Sequence, residues 1–301
     1  MTPDHFTAHQ VVPGVHACVA GRSGAAVGNA AIIDAGTKTI VIDAFMTSAA
    51  STELAAVARR LTGRAPFLLV NTHWHGDHTR GNQTFAGMPI VATSQTVELI
   101  AANTPTDLDA YTAELDGYIE TFTAQLESPD EAQRKTAQRR LGTLHHVRDS
   151  VPGFRLTLPN LLVDGKLVVQ DERRVEILTY GGGHTDSDAF AWLPDDKLLV
   201  TGDLVFASIH PRIHDGHPAA WADILQRVLA LGPTNLIPGH GRPGPVDHIE
   251  ALIPYMRTVA DMVAALGEGD PGELPVPPGS ESWEGIDRFR EGVGVLAARG
   301  A

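Results

Sequence analysis

Four times along this chain an apolar run ends in a glycine-bearing turn that carries side chains able to hold a metal. Phe67 to Val70 leads into Asn71-Thr72-His73-Trp74-His75-Gly76-Asp77-His78, and Val175 to Tyr180 into Gly181-Gly182-Gly183-His184-Thr185. Lys197 to Val200 leads into Thr201-Gly202-Asp203, and Asn235 to Ile237 into Pro238-Gly239-His240-Gly241. Short apolar runs bounded by glycine and polar residues read as buried strands. Glycine lets the backbone turn tightly at their ends, where chemistry-bearing side chains gather on a rigid scaffold. Such a chain needs a fold that collects strand ends at one place. His73 and His75 are two apart, so extended backbone points both to one side. Asp77 and His78 are adjacent, and a turn at Gly76 aims them at a second point. Donors split between two directions indicate two ions. Imidazole and carboxylate suit zinc, with iron and manganese as rivals, and a metal pair activates water for hydrolysis. Taken singly, His184 or His240 reads equally as a loop histidine and Asp203 as a turn or cap residue.

In this order and over nearly the whole chain, His-x-His-x-Asp-His at 73–78, Gly-His-Thr at 183–185, Thr-Gly-Asp at 201–203 and Gly-His-Gly at 239–241 resemble the metallo-β-lactamase superfamily, the glyoxalase II-like metallohydrolases. The resemblance implies a four-layer αβ/βα sandwich. It implies that His73, His75 and His184 hold a first ion, and that Asp77, His78 and His240 hold a second, with Asp203 bridging the two. It further implies a dinuclear hydrolase whose bridging hydroxide attacks a small carbonyl substrate: an ester, thioester, lactone or amide. Asp77 is the candidate catalytic base beside its ligand role. A bridging aspartate at Asp203 belongs to the thioesterase and other hydrolase branches more than to true β-lactamases, so β-lactam hydrolysis is the alternative. Asp43, where the family reads Asp-Thr-Gly, is followed here by Ala44-Phe45. Its expected part is a hydrogen bond that supports a ligand histidine, with Thr185 and Asp188 as further supports.

Composition narrows the partners. The chain has 301 residues, 43% of them hydrophobic and 20% charged, enough for a sizeable core. A net charge of −13 argues against nucleic acid or an anionic membrane as partner and for a small molecule. The single cysteine, Cys18, precludes an intrachain disulfide and sits in an apolar run, Val15 to Ala20, as a small buried hydrophobe. No segment approaches the ~20 apolar residues of a membrane span, and the first residues carry no signal-peptide pattern. The expectation is a cytoplasmic protein.

The pattern reads as one domain over 1–301. Strands are expected at Val11 to Ala20, Ala26 to Asp34 and Thr39 to Asp43, with turns at Gly21-Arg22-Ser23-Gly24 and Ala35-Gly36. A helix from Thr52 to Leu61 should end at Gly63; Ile90 to Ala92 is a strand and Gln95 to Ala101 a short helix. A second half carries strands at 166–170, 174–179, 188–193 and 197–200 and helices at about 219–231, 247–265 and 282–299. Gly267 to Gly279 reads as a surface loop. Between the halves lies an insertion of two helices, about 104–150, with Leu108, Tyr111, Leu115, Tyr118, Ile119, Phe122 and Leu126 at helical spacing. Thr104-Pro105-Thr106-Asp107 starts the first. Ser128-Pro129-Asp130-Glu131 reads as a capping box for the second, with proline at the first helical position. The insertion is either a hairpin packed on the sandwich or on a second copy, which makes it a homodimer interface, or a lid offering Tyr111, Tyr118 or Phe122 to the substrate. His210, His214 and His217 fall on the loop after Asp203, as substrate contacts or, the preferred reading, as solvated residues. His145 and His146 suit a helix C-terminus.

Three other classes compete. A di-iron redox member would want a carboxylate at His75 and a flavin domain. A mononuclear dioxygenase would lack the second site. A metal-stabilised binding module would hold metal without turnover.

Overall fold

A computed structural model describes residues 3–21, 24–266 and 269–300, so Arg22 and Ser23 of the expected first turn, and Gly267 and Glu268 of the expected loop, lie outside the described residues. The chain divides into two compact units: Met1–Asp34 with Lys38–Val91 and Val97–Leu161, and Ala35–Thr37 with Ala92–Thr96 and Leu162–Ala301.

The first unit is built on a seven-stranded sheet in sequence order. β1 (Phe6–Val12), β2 (Val15–Ala20), β3 (Ala30–Asp34) and β4 (Thr39–Ile42) run antiparallel. Helix α1 (Ser48–Thr62) crosses back so that β5 (Leu68–Val70) lies parallel to β4. Its start is fixed by Thr47, whose hydroxyl accepts the Ala50 N–H, and its end by Gly63 in the left-handed region. The short α2 (Gly76–Thr79) follows β5, then β6 (Ile90–Ala92), parallel to β5, and α3 (Ser94–Asn103). The insertion is α4 (Leu108–Gln125), N-capped by Asp107, and α5 (Glu131–Ser150); β7 (Leu161–Leu162) ends the sheet. Ile32, Val41 and Leu69 of the sheet pack with Leu54 and Val57 of α1 and with Phe45 and Phe85.

The second unit holds a six-stranded sheet of order β13-β12-β11-β10-β9-β8. Its strands are β8 (Lys166–Val169), β9 (Val175–Gly181), β10 (Asp188–Leu193), β11 (Leu198–Val200), β12 (Asn235–Ile237) and β13 (Gly244–Pro245). β11 and β12 are parallel, and α6 (Pro218–Leu229) makes the crossover. Helix α7 (Asp247–Leu266) packs on α6, and α8 (Ile286–Arg299) on α7. Trp221, Leu225 and Val228 join Leu252, Met256 and Val259 over Phe190 and Leu199 in one core. Together these make a mixed α/β chain of two sheets with helices.

Several expectations change. The run read as one strand from Val11 is a hairpin broken at Gly14, whose φ of 78° makes the turn. The strand expected from Ala26 begins only at Ala30, because Val27 takes φ 69° and Gly28 passes against the His78 ring. Ser128 does not cap α5. Its hydroxyl accepts the Asp130 N–H and donates to Gln133, and the helix starts at Glu131, so Pro129 stands outside it. The last helix begins at Ile286, after Gly285 in the left-handed region. The insertion packs on its own unit. Leu115, Val147 and Val151 form a small buried cluster flanked by Met46, Leu108, Tyr111 and Leu144. Cys18 is fully buried, as its apolar neighbours predict.

Candidate metal centre

β5 delivers Asn71 and Thr72, both buried, and the backbone then turns into α2 with His75 at its N-cap. His73 Nε2 lies 3.1 Å from His75 Nδ1. Thr72 Oγ1 donates to Asp43 Oδ2 at 2.9 Å, so its 3.0 Å contact with His73 Nδ1 requires that nitrogen to carry the proton. Nε2 of His73 is therefore the basic nitrogen. Two ring nitrogens facing one another at such a distance share either a proton or a cation.

Asp43 also sets His78. Its Oδ2 is 2.7 Å from His78 Nδ1 and its Oδ1 accepts the Thr72 N–H at 2.8 Å, which turns the Nε2 of His78 outward as the basic nitrogen. The carboxyl is buried, and burial raises its pKa, against the pull of His78 and Thr72. The loop carries Ala44-Phe45 although Asp43 (φ 63°) and Phe45 (φ 64°) both take left-handed backbone, which favours glycine, and the Phe45 ring is buried against Phe6. Asp77 Oδ2 lies 3.6 Å from His78 Nε2, and its side chain is 16% exposed while that of His78 is fully buried. A buried amide pair missed in the sequence braces this turn. Asn71 Nδ2 donates to the His78 carbonyl, and Asn82 Nδ2 donates to Asn71 Oδ1 and to the Thr157 carbonyl.

In the second unit, His184 sits in the turn between β9 and β10, and Asp188 shapes that turn. Its carboxylate accepts the backbone N–H groups of Gly183, His184 and Thr185 and the Thr185 hydroxyl, at 2.8 to 3.2 Å. Burial pushes its pKa up to about 7, against the lowering effect of those donors. Asp203 follows β11, and one of its oxygens, Oδ2, lies 3.3 Å from Nε2 of both His184 and His240. Phe206 stacks flat on His240 with centroids 5.0 Å apart, and the Trp221 ring stands edge-on 5.2 Å from that of His184. The Trp221 indole N–H is held by the Leu204 carbonyl.

Donor chemistry and local space both fit a divalent cation. Each unit presents neutral-capable imidazoles with carboxylate beside them, and in the first unit the tautomers of His73 and His78 are fixed from behind. Backbone crowds these groups where only glycine fits: a Cβ at Gly28 would stand 2.6 Å from His78 Nε2, and one at Gly239 only 1.9 Å from Asp203 Oδ1. His73 with His75, Asp77 with His78, and His184 with Asp203 each place their donor atoms within 4.8 Å of one another.

The loop histidines separate. His210 is not solvated: it is 1% exposed, with Nδ1 3.0 Å from the Tyr255 hydroxyl and its ring against Trp283 and Phe289. His217 is half-exposed, 2.7 Å from Asp186, and His214 lies beside Asp215 and Arg212. Tyr118 is 49% exposed, whereas Tyr111 lies against Arg80. Arg80, singled out by nothing in the sequence, is buried two residues past His78.

The chain belongs to the metallo-beta-lactamase superfamily, whose sequence profile matches residues 23–240. It is 29% identical over 175 residues to the hydroxyacylglutathione hydrolase of Brucella anthropi, covering 49% of this chain and 65% of that protein. It is 29% identical over 146 residues to that of Brucella ovis, covering 40% and 57%. The matches thus span less than two thirds of these relatives' own length. Among solved structures, DIM-1 metallo-beta-lactamase shares the fold with a TM-score of 0.61 at 17% identity, over 86% of this chain and 99% of that one. The metallo-beta-lactamase from Pontibacter korlensis does so with 0.60 at 16%, over 84% and 99%.

Proposed function

We propose that the protein is a dinuclear metal-dependent hydrolase, with zinc as its metal, that cleaves a small carbonyl compound. The observation that carries this reading is the Asp203 oxygen set 3.3 Å from two histidine nitrogens, a carboxylate placed to be shared between cations. In this reading His73, His75 and His184 hold one ion, Asp77, His78 and His240 hold the other, and Asp203 serves both. Bound there, two divalent cations lower the pKa of a water toward about 7 and polarise a carbonyl oxygen. The chain's own part is to hold His73 and His78 in fixed tautomers through Asp43 and Thr72, to shape the turn of His184 through Asp188, and to take the proton of the attacking water on the Asp77 carboxylate. Both units together form one domain, a reading supported by a family match that runs through both.

An acyl substrate is favoured by the relatives named for hydroxyacylglutathione hydrolysis. The likeness to β-lactamases carries the fold alone. The net charge of −13 supports a small molecule over a nucleic acid, and the lone, buried Cys18 fits a reducing compartment such as the cytoplasm.

Metal analysis paired with a screen of esters, thioesters, lactones, amides and β-lactams tests this. Two zinc ions per chain with turnover of an acyl compound is the expected result. Iron would point to redox chemistry, and bound metal without turnover to a binding module. His75→Ala should abolish turnover and lower metal content while leaving the circular dichroism spectrum unchanged. Full activity in that variant contradicts the assignment.

A further inference from the structure

Arg80 is 8% exposed, and its guanidinium carbon lies 4.4 Å from the centre of the Phe154 ring and 5.0 Å from that of Tyr111. Its stem passes Gly76, where a Cβ would stand 3.0 Å from the arginine Cδ. Aromatic faces satisfy the flat surfaces of a guanidinium but not its N–H groups. Nε and Nη2 are buried and meet no acceptor. These two donors are not a random pair: they form the straight edge that takes both oxygens of a carboxylate at once. No carboxylate among the described residues balances this charge. The Tyr111 side chain hydrogen-bonds the guanidinium elsewhere, but a buried cation that leaves two N–H donors without an acceptor or a carboxylate counter-ion is costly.

We propose that Arg80 is an anion-binding residue whose Nε/Nη2 edge receives a carboxylate carried by the substrate. The proposal rests on the hydrolase reading, and it narrows the substrate to acyl compounds that bear a free carboxylate at a distance from the scissile carbonyl. Arg80 stands three residues after Asp77 and two after His78, so an anion on that edge is held beside the loop that presents those two donors. Because the edge is closed off, some segment must yield for the anion to enter. The α4–α5 hairpin, which supplies Tyr111 and rests on a three-residue buried cluster, is the segment that moves.

The test uses two arms. In the first, thermal unfolding of the metal-depleted full chain is followed with sodium glutarate against sodium chloride at equal ionic strength, for wild type and Arg80→Met. Glutarate should raise the melting temperature of the wild type and leave that of R80M unmoved. In the second, the metal-loaded enzyme is offered monophenyl glutarate and the matching phenyl ester in which a carboxamide replaces the acid. The wild type should favour the acid, and the ratio of kcat/KM values should fall about 10- to 100-fold in R80M, the scale of a lost charge-assisted pair. Arg80→Lys keeps the charge without the two-pronged edge. It should lose most of that preference, and it replaces R80M if the methionine variant does not fold. An arginine that merely props up the hairpin would lower stability and leave the acid-to-amide ratio alone. Equal ratios in wild type and variant, or glutarate stabilisation that persists in R80M, overturn the proposal. If neither ester is cleaved while glutarate still stabilises only the wild type, the hydrolase reading fails and the anion site stands.

Discussion

Asp188 gathers three backbone N–H groups and one hydroxyl onto a single buried carboxylate, and the turn they define is the one that carries His184. Removing the acceptor strands four donors inside the protein, which costs far more than the net worth of any one hydrogen bond. Asp188→Ala should lower stability by about 2–5 kcal/mol in urea unfolding and reduce bound metal; an unchanged midpoint would show that the turn holds itself. Gly239 is constrained in another way. A methyl group there would meet Asp203 Oδ1 at 1.9 Å and the Gly202 carbonyl carbon at 2.6 Å, and backbone cannot swing aside as a long side chain does. Gly239→Ala should cost about 1–3 kcal/mol and, by pushing Asp203, release metal measurable by mass spectrometry. The residue types at these positions were legible in the sequence, because glycine and a ligand recur together at strand ends. The hub role of Asp43, reaching His78 and Thr72 at once, was only half legible: its support of a histidine was expected, its hold on the tautomer of His73 through Thr72 was not.

Helix α1 and the insertion helices were predictable from periodicity, since apolar residues at helical spacing need one face buried whatever they pack against. Strand boundaries around 24–29 were not, because a backbone passing the His78 ring answers to that ring and not to local propensity. The insertion packs through a small cluster, Leu115, Val147 and Val151, with Ala137 and Leu141 also buried, whereas α6 and α7 share a large core with the second sheet. Amide hydrogen exchange should therefore be faster in α4 and α5 than in α6 and α7. Leu115→Ala should cost about 2–4 kcal/mol, with the loss confined to the hairpin's own exchange rates; slow exchange throughout α4 would argue against a moving segment.

At the scale of the whole molecule, pH dependence and metal binding are linked to folding. Burial lowers the pKa of His210 below its ordinary 6.5, with Asp287 pulling weakly the other way. The fold thus favours the neutral ring, and the stability this contributes is present above pH 6.5 and lost as pH falls below it toward the folded-state value. Stability measured by urea unfolding above and below pH 6.5 should drop less in His210→Gln, which keeps a polar group near Tyr255 without titrating. A drop equal to that of the wild type would assign the effect to other histidines. Chelation should lower the melting temperature and abolish turnover, both restored by zinc, because a cation bound only by the folded state stabilises it by about 4 kcal/mol at a thousand times its dissociation constant. No helix among the described residues is long and apolar enough to cross a membrane. The sequence by itself determined which side chains can bind metal, that they sit at strand ends, and which family the chain joins, because ligand type and glycine placement are local requirements written residue by residue. Only the tertiary structure decided that Asp203 faces two histidines at equal distance, that His210 is buried among aromatics and that Arg80 is closed in between two rings. Those facts depend on what segments far apart in the chain bring to one place, and a desolvated charge or a shared oxygen has no signature in any single stretch of sequence.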